Sequence, residues 1–282
     1  MLLKLFKKAQ KEKWAIGHFN FSTIEQLRGI AQAGKKLKAP VIVAVSGGEA
    51  RFLGLEQIVA MVRVLEQKIG HPLFLHLDHG RDLDYIKKAV DLGFDSVHCD
   101  YSHLNLSRNI ELTKKAVAYA HKKNILTEGE LGYIKGSSKL YKLKNLNISK
   151  KELTDPKEVE KFVKQTKVDS LAIAVGSAHG RYAGPENLDF ERLKEIKQSA
   201  NAFLVLHGGS GIPTKHLKKA IKIGIQKINV NTDLRIIWKE SLKKALNNGQ
   251  EVKPYNILPQ VEKQIQTKVE KYIKLFGSQN KI

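Results

Sequence analysis

PLFLHLDHGRD, residues 72–82, is the stretch on which the reading of the fold turns. An apolar run, PLFL, leads directly into two histidines, two aspartates and a glycine within HLDHGRD, residues 76–82. A continuous apolar run suits a strand buried on both faces of a parallel sheet. Polar groups crowded at its C-terminal end suit the mouth of a barrel, where such enzymes keep their chemistry.

Working outward, the same pattern recurs. AIGHFN (15–20), PVIVAVS (40–46), DSVHCD (95–100), ILTEGEL (125–131), DSLAIAV (169–175), AFLVLHG (202–208) and IQKINVN (225–231) are further short apolar runs. Segments of helical period separate them, such as TIEQLRGIAQAGKKL and LSRNIELTKKAVAYAHKK. Eight strand–helix units in about 250 residues predict an α/β fold of the (β/α)8 barrel type. A doubly wound open sheet is the alternative, but the chain has no GxGxxG turn. We expect one barrel domain over residues 1–282, with a long mobile loop at about 132–156 and a helical C-terminal extension from about 232.

Composition narrows the setting. With 42% hydrophobic residues the chain can bury a large core. Its single cysteine, Cys99, excludes an internal disulfide and suits a reducing, cytoplasmic location. The start, MLLKLFKKAQKEKW, lacks the apolar stretch of a signal peptide, and no run is long enough to span a membrane. The net charge of +21 would fit nucleic acid or a phosphorylated substrate. Lysine is spread along every helical segment, with no basic tail or arginine cluster, so neither nucleic acid nor membrane is an expected partner.

The polar residues fall where a barrel would use them. Asn20, Ser46, Asp78, His79, Asp100 and Glu130 close successive runs, followed by GSAHG, HGGSG and NVNTD after the last three. Three histidines share this placement: His79, His179 and His207. Three imidazoles with one position open is the arrangement of a catalytic zinc, although one such histidine alone is more often structural. His76 is expected to point into the barrel interior. His18, His98 and His103 are candidates to support the ligands, whereas His71, His121 and His216 are read as solvated. HGGSG (207–211) and NVNT (229–232) offer exposed backbone N–H groups and a helix start, the usual phosphate site of barrel enzymes.

With HLDHG, ELG, GSAHG, HGGSG and NVNT in this order, the chain resembles the class II, metal-dependent ketose-bisphosphate aldolases. The resemblance runs from about residue 1 to about 240, and more loosely to KLFGS near 277. It implies cleavage of a ketose 1,6-bisphosphate, fructose 1,6-bisphosphate foremost, to dihydroxyacetone phosphate and glyceraldehyde 3-phosphate. Tagatose 1,6-bisphosphate or another dihydroxyacetone-phosphate ketose is the alternative. It also implies that His79, His179 and His207 ligate Zn2+, and that Asp78 handles the proton of the C4 hydroxyl. Asp100 and Glu130 match acidic positions of a possible second cation, divalent or monovalent. Gly180, Gly208, Gly209, Ser210, Asn229, Val230, Asn231 and Thr232 match positions that hold the dihydroxyacetone phosphate half, with Asn20 and Ser46 as neighbouring substrate contacts. By resemblance alone, a homo-oligomer, dimer or tetramer, is expected.

The chain departs from the family pattern twice. Members usually carry an acid in the loop after the fifth strand, yet GYIKGSSKLYKLKNLN has none before Glu152. Many carry a D-P-R whose arginine meets the aldehyde-side phosphate, where this chain reads YNILP; Arg51, Arg181 and Arg235 are the candidate substitutes. A lysine Schiff base would be the other route to aldol cleavage, but Lys227 lies inside the eighth run rather than at its end. A zinc barrel hydrolase and a metal-binding barrel without turnover are the remaining readings. The first commonly begins with His-x-His, and the first run here gives HFN.

Overall fold

A computed structural model describes residues 1–141, 148–182, 184, 187–247 and 250–282. Eight parallel strands close into a barrel: β1 (Ile16–Asn20), β2 (Val41–Ser46), β3 (Leu73–Gly80), β4 (Ser96–Cys99), β5 (Leu126–Leu131), then, after a short strand β6 (Gly136–Leu140), β7 (Ser170–Ile173), and, after β8 (His179–Arg181), β9 (Phe203–Leu206) and β10 (Ile225–Val230). β1 closes the ring against β10, with His18 opposite Asn229. All eight apolar runs are barrel strands, in the order expected, and the doubly wound alternative falls away.

The ring of helices follows from period and caps. α2 (Ile24–Lys36), α5 (Leu83–Asp91), α6 (Leu106–His121), α7 (Pro156–Thr166) and α8 (Phe190–Ser199) start at Thr23, Asp82, Asn105, Asp155 and Asp189, whose side chains accept the backbone N–H groups of the first turn. α3 (Gly47–Leu53) and α4 (Leu55–Ile69) follow β2, and α9 (Thr214–Ile223) follows β9. α10 (Thr232–Leu246) and α11 (Pro254–Phe276) form the C-terminal extension, and α11 packs against α2 and α10. α1 (Leu2–Glu12) seals the N-terminal end of the barrel. Leu2, Leu5, Phe6 and Ala9 join Ile16, Ile42 and Phe74 there, and the Phe6 and Phe203 rings stack at 5.0 Å.

Strand residues alternate between two environments. Phe19, Val43, Leu75, Leu77, Val97, Leu171, Leu206 and Ile228 belong to the main core between strands and helices. Their neighbours His18, Asn20, His76, Asp78, Ser96, His98, Glu128, His207, Lys227 and Asn229 meet one another inside the ring. The barrel interior is therefore apolar only near α1 and polar above it.

The connection after β5 is not wholly irregular. β6 pairs in parallel with β8, and the Tyr141 and Tyr182 rings stack at 4.7 Å. The rest of the expected loop includes residues 142–147, which lie outside the described residues.

Candidate active site

At the C-terminal end of the barrel lies a cavity of about 260 Å3. Asn20, Ser46, Asp78, His79, Glu130, His179, Gly180, Gly208, Ser210, Asn229, Asn231 and Thr232 line it. Twelve of the predicted site residues thus line one cavity, although they come from seven of the barrel strands and the segments that follow them. Gly209 and Val230 do not face it. Val230 is fully buried in the main core, and a Cβ on Gly209 would meet Ile228 at 2.6 Å. Asp100 sits behind His79, fully buried.

The end of β3 explains how Asp78 and His79 both serve this cavity. In a regular strand successive side chains point to opposite faces. Here the register against β4 shifts between Leu77 and Gly80, and His79 adopts a left-handed φ of 52°. That conformation is strained for a non-glycine residue, by roughly 1–3 kcal/mol. It turns the His79 ring to the same side as Asp78, and the His79 N–H donates to His98 Nδ1 at 3.2 Å. Gly80 permits the bend, since a Cβ there would lie 2.8 Å from the His98 carbonyl oxygen.

Each histidine has one nitrogen committed or one left over. His79 Nδ1 donates to Asp100 at 2.8 Å, which leaves Nε2 toward Asp78, 3.9 Å away. His207 Nε2 donates to Glu128 at 2.8 Å, and its buried Nδ1 has no partner among the described residues. His179 Nε2 is likewise buried and unpartnered. The His79 ring lies 5.0 Å from that of His179 and 4.9 Å from that of His207. Three imidazole nitrogens that make no hydrogen bond among the described residues, with an adjacent carboxylate, fit a divalent metal. His79, His207, Asp78 and His98 also form a set whose ligand atoms lie within 4.8 Å of one another, and His179 falls outside it. His79, Asp100 and Glu130 form a second such set.

The electrostatics favour positive charge at this point. Burial opposes protonation of His79, but Asp78, Asp100 and Glu130 outweigh it and raise its pKa to about 10. Burial and the charge on His79 push His179 down to about 3. Burial takes His207 to about 3 as well, against the pull of Glu128. Burial and the neighbouring Asp100 charge raise Glu130 to about 7, and Ser102 Oγ lies 2.8 Å from a carboxyl oxygen of each. Asp78 is held well below the ordinary carboxylate range. Its burial is outweighed by His79 and His18, and Asn20 Nδ2 donates to it at 3.0 Å.

Some functional neighbours escaped the sequence reading. Glu128 accepts from Lys227 Nζ at 2.6 Å as well as from His207, with both members of the ion pair almost fully buried. Glu49 accepts from Asn20, Ser46 and Arg235 beneath the cavity wall. A readable signal existed for Glu49, because Ser46-x-x-Glu49 is a capping box. Of the supporting histidines, His98 and His18 are in place, and His76 is interior as expected, 2.7 Å from Ser96 Oγ. His103 is exposed. The expectation that His71, His121 and His216 are solvated holds for His121, which is exposed, and is corrected for the buried His71 and the half-buried His216. His71 is buried against the Ala39 carbonyl at 2.9 Å, His121 pairs with Asp169 at 2.9 Å, and His216 packs edge-on against Phe190.

The profile described as "Fructose-bisphosphate aldolase class-II" matches residues 1–281. The chain belongs to this family. It is an aldolase, a lyase of the class II type. A fructose-bisphosphate aldolase of Staphylococcus aureus is 40% identical over 277 residues, covering 97% of this chain and 95% of that protein. A 6-phospho-5-dehydro-2-deoxy-D-gluconate aldolase of Shouchella clausii is 39% identical over 281 residues, covering 98% and 94%. The crystal structure of the YdjI aldolase from Escherichia coli K12 superposes with a TM-score of 0.87 at 32% identity, covering 100% of this chain and 98% of that one. Among the described residues no helix of this class II aldolase is long and apolar enough to cross a membrane.

Proposed function

We propose that this class II aldolase reversibly cleaves a ketose 1,6-bisphosphate, fructose 1,6-bisphosphate foremost, to dihydroxyacetone phosphate and glyceraldehyde 3-phosphate. The observation that carries the reading is the trio of imidazole nitrogens, His79 Nε2, His179 Nε2 and His207 Nδ1, beside the Asp78 carboxylate. His79, His179 and His207 would hold Zn2+, which supplies a Lewis acid for the charge that develops on the substrate carbonyl oxygen. Asp78, ionised at neutral pH, takes the proton of the C4 hydroxyl as the C3–C4 bond breaks. Asn20 and Asn229 fix its two oxygens, from 3.0 and 3.4 Å. Gly180, Gly208, Ser210 and Thr232, with the N-terminus of α10, receive the 1-phosphate. Asp100 and Glu130 are the candidate ligands of a second cation.

Schiff-base chemistry has no support here, since Lys227 is tied to Glu128 inside the barrel. The Shouchella clausii relative, named for a deoxygluconate phosphate, favours a second reading in which the same half-reaction serves another aldehyde. The test is triose phosphate release from fructose 1,6-bisphosphate, tagatose 1,6-bisphosphate, fructose 1-phosphate and 6-phospho-5-dehydro-2-deoxygluconate, with and without chelator. Chelator-sensitive release from one ketose supports the reading and names the substrate. No release from any, with zinc confirmed bound, or a borohydride-trapped adduct, overturns it.

A further inference from the structure

Aldol cleavage needs two proton transfers. As C3–C4 breaks, Asp78 takes the C4 hydroxyl proton and the bond pair passes to C3 and C2 as an enediolate. Release of dihydroxyacetone phosphate then requires a new C–H bond at C3, so an acid must face that carbon. The loop after β5 has no carboxylate before Glu152. Glu152 itself pairs with Lys135 and closes a capping box at Ser149, and it does not line the cavity.

The cavity wall offers few other acids. Its volume of about 260 Å3 is below the roughly 300–1,000 Å3 usual for ligand pockets, so each lining group stands close to a bound ketose. Asp78 is ionised, and His79 and His179 belong to the metal site proposed above. Glu130 accepts from Ser102 Oγ at 2.8 Å and belongs to the second cation set. Arg81 and Arg235 keep their protons in any protein. The hydroxyls of Ser46, Ser137, Ser210 and Thr232 are aliphatic, far weaker acids than a phenol. Tyr133 is left. It lines the cavity, is 45% exposed, and its hydroxyl makes no hydrogen bond among the described residues.

Tyr133 also stands on the useful side. It follows β5 by two residues, and β5 lies four places from β1 either way around the eight-strand ring, hence across the barrel. Asn20 of β1 and Asn229 of β10 hold the two Asp78 oxygens toward their own side. The phenol therefore approaches from the wall opposite those asparagines. Arg81, fixed on Asp100 through Nε and Nη2 at 3.0 and 2.9 Å, is within electrostatic reach of the phenol and would stabilise its anion. We propose that the Tyr133 hydroxyl is the catalytic acid that protonates C3 of the enediolate. The C2=C3 electron pair takes the phenolic proton at C3, an oxygen lone pair restores the C2 carbonyl, and the exposed phenolate recovers a proton from water. The assignment rests on the cleavage reaction proposed above and adds the residue for its second proton transfer.

Exchange of the C3 proton of dihydroxyacetone phosphate with deuterated water, followed by NMR on the zinc-loaded protein, isolates this step, because the group that gives a proton also removes it in reverse. Tyr133→Phe deletes one exposed hydroxyl and should leave the melting temperature in place. It should slow exchange about 10^2- to 10^4-fold and keep the dissociation constant of dihydroxyacetone phosphate within about threefold. Hexacyanoferrate(III) oxidises the enediolate before it is protonated. Oxidant-trapped cleavage of fructose 1,6-bisphosphate by Tyr133→Phe should therefore stay within about threefold of the parent. Unslowed exchange in Tyr133→Phe overturns the assignment, and so do exchange and trapped cleavage that fall together. Exchange that depends on Tyr133 in a protein cleaving neither fructose nor tagatose 1,6-bisphosphate keeps the acid and removes the substrate assigned above. No exchange in the parent, with zinc confirmed bound, removes both.

Discussion

Lys227→Met should be among the most damaging single changes in the barrel interior. Lys227 and Glu128 have side-chain exposures of 1% and 2%, and their charged atoms are 2.6 Å apart. Removing one member of such a pair strands the other in a medium that solvates it poorly, at a cost of about 3–5 kcal/mol. For a chain of this size that lowers the melting temperature by roughly 10 °C. Lys227→Met/Glu128→Gln should recover most of the loss, because the glutamine is neutral and still offers His207 an acceptor oxygen. The same substitution reaches the candidate metal site through His207. Glu128 without Lys227 draws a proton onto His207, whose pKa then climbs from about 3. Protons compete with metal, so zinc should be released at higher pH than in the parent. Urea unfolding and metal titration against pH provide the two readouts. A loss below about 1 kcal/mol, or a double variant no more stable than Lys227→Met, would refute the argument.

Asp78→Ala should keep zinc yet lose cleavage by about 10^2- to 10^4-fold; metal analysis beside a rate assay checks this, and an active variant removes the assigned role. Gly208→Ala should both destabilise the protein and weaken binding of dihydroxyacetone phosphate. Gly208 has a φ of 67° and an added Cβ would lie 2.3 Å from the Ala178 carbonyl oxygen, whereas Gly70, with a φ of 60° and open space, supplies the control for backbone strain alone. Asp233 should contribute to acid sensitivity. Burial opposes its charge, but Lys268 and the Tyr272 hydroxyl, each at 2.7 Å, hold its carboxyl below the ordinary 3.8. A depressed folded value means that the stabilisation is full above the unfolded pKa and disappears as pH falls through the folded one. The urea midpoints of the parent and Asp233→Asn should therefore converge as pH drops from about 6 toward about 3, and a constant gap would show that Asp233 does not titrate as its contacts require.

The strands were legible because apolar runs and their polar ends are local signals, and His79, His179 and His207 stood out for the same reason. The polar barrel interior was also written in the chain, as a period of two: His76 and Asp78, Ser96, His98 and Asp100, Glu128 and Glu130, Lys227 and Asn229. Reading each run as continuously apolar hid it. Pairing was the harder problem, since Lys227 and Glu128 lie far apart in sequence and meet only when the ring closes. β6 was missed because GSSKL is polar and carries no strand pattern of its own; its pairing with β8 supplies what its composition lacks. The twist at His79 was invisible too, since a left-handed histidine is a cost that only the completed site explains.

The ring closes through β1 and β10, and Phe6 of α1 stacks on Phe203 of β9, nearly the whole barrel away in sequence. Neither contact can form until the last strands are in place. Assembly is thus governed by late, long-range encounters, which slows folding. Meanwhile the apolar face of α1 lacks the part of its cover that Phe203 supplies, and a chain held short of closure exposes that part and two unpaired strand edges together. The helix that corks the finished barrel is, on the way there, the surface most exposed to aggregation.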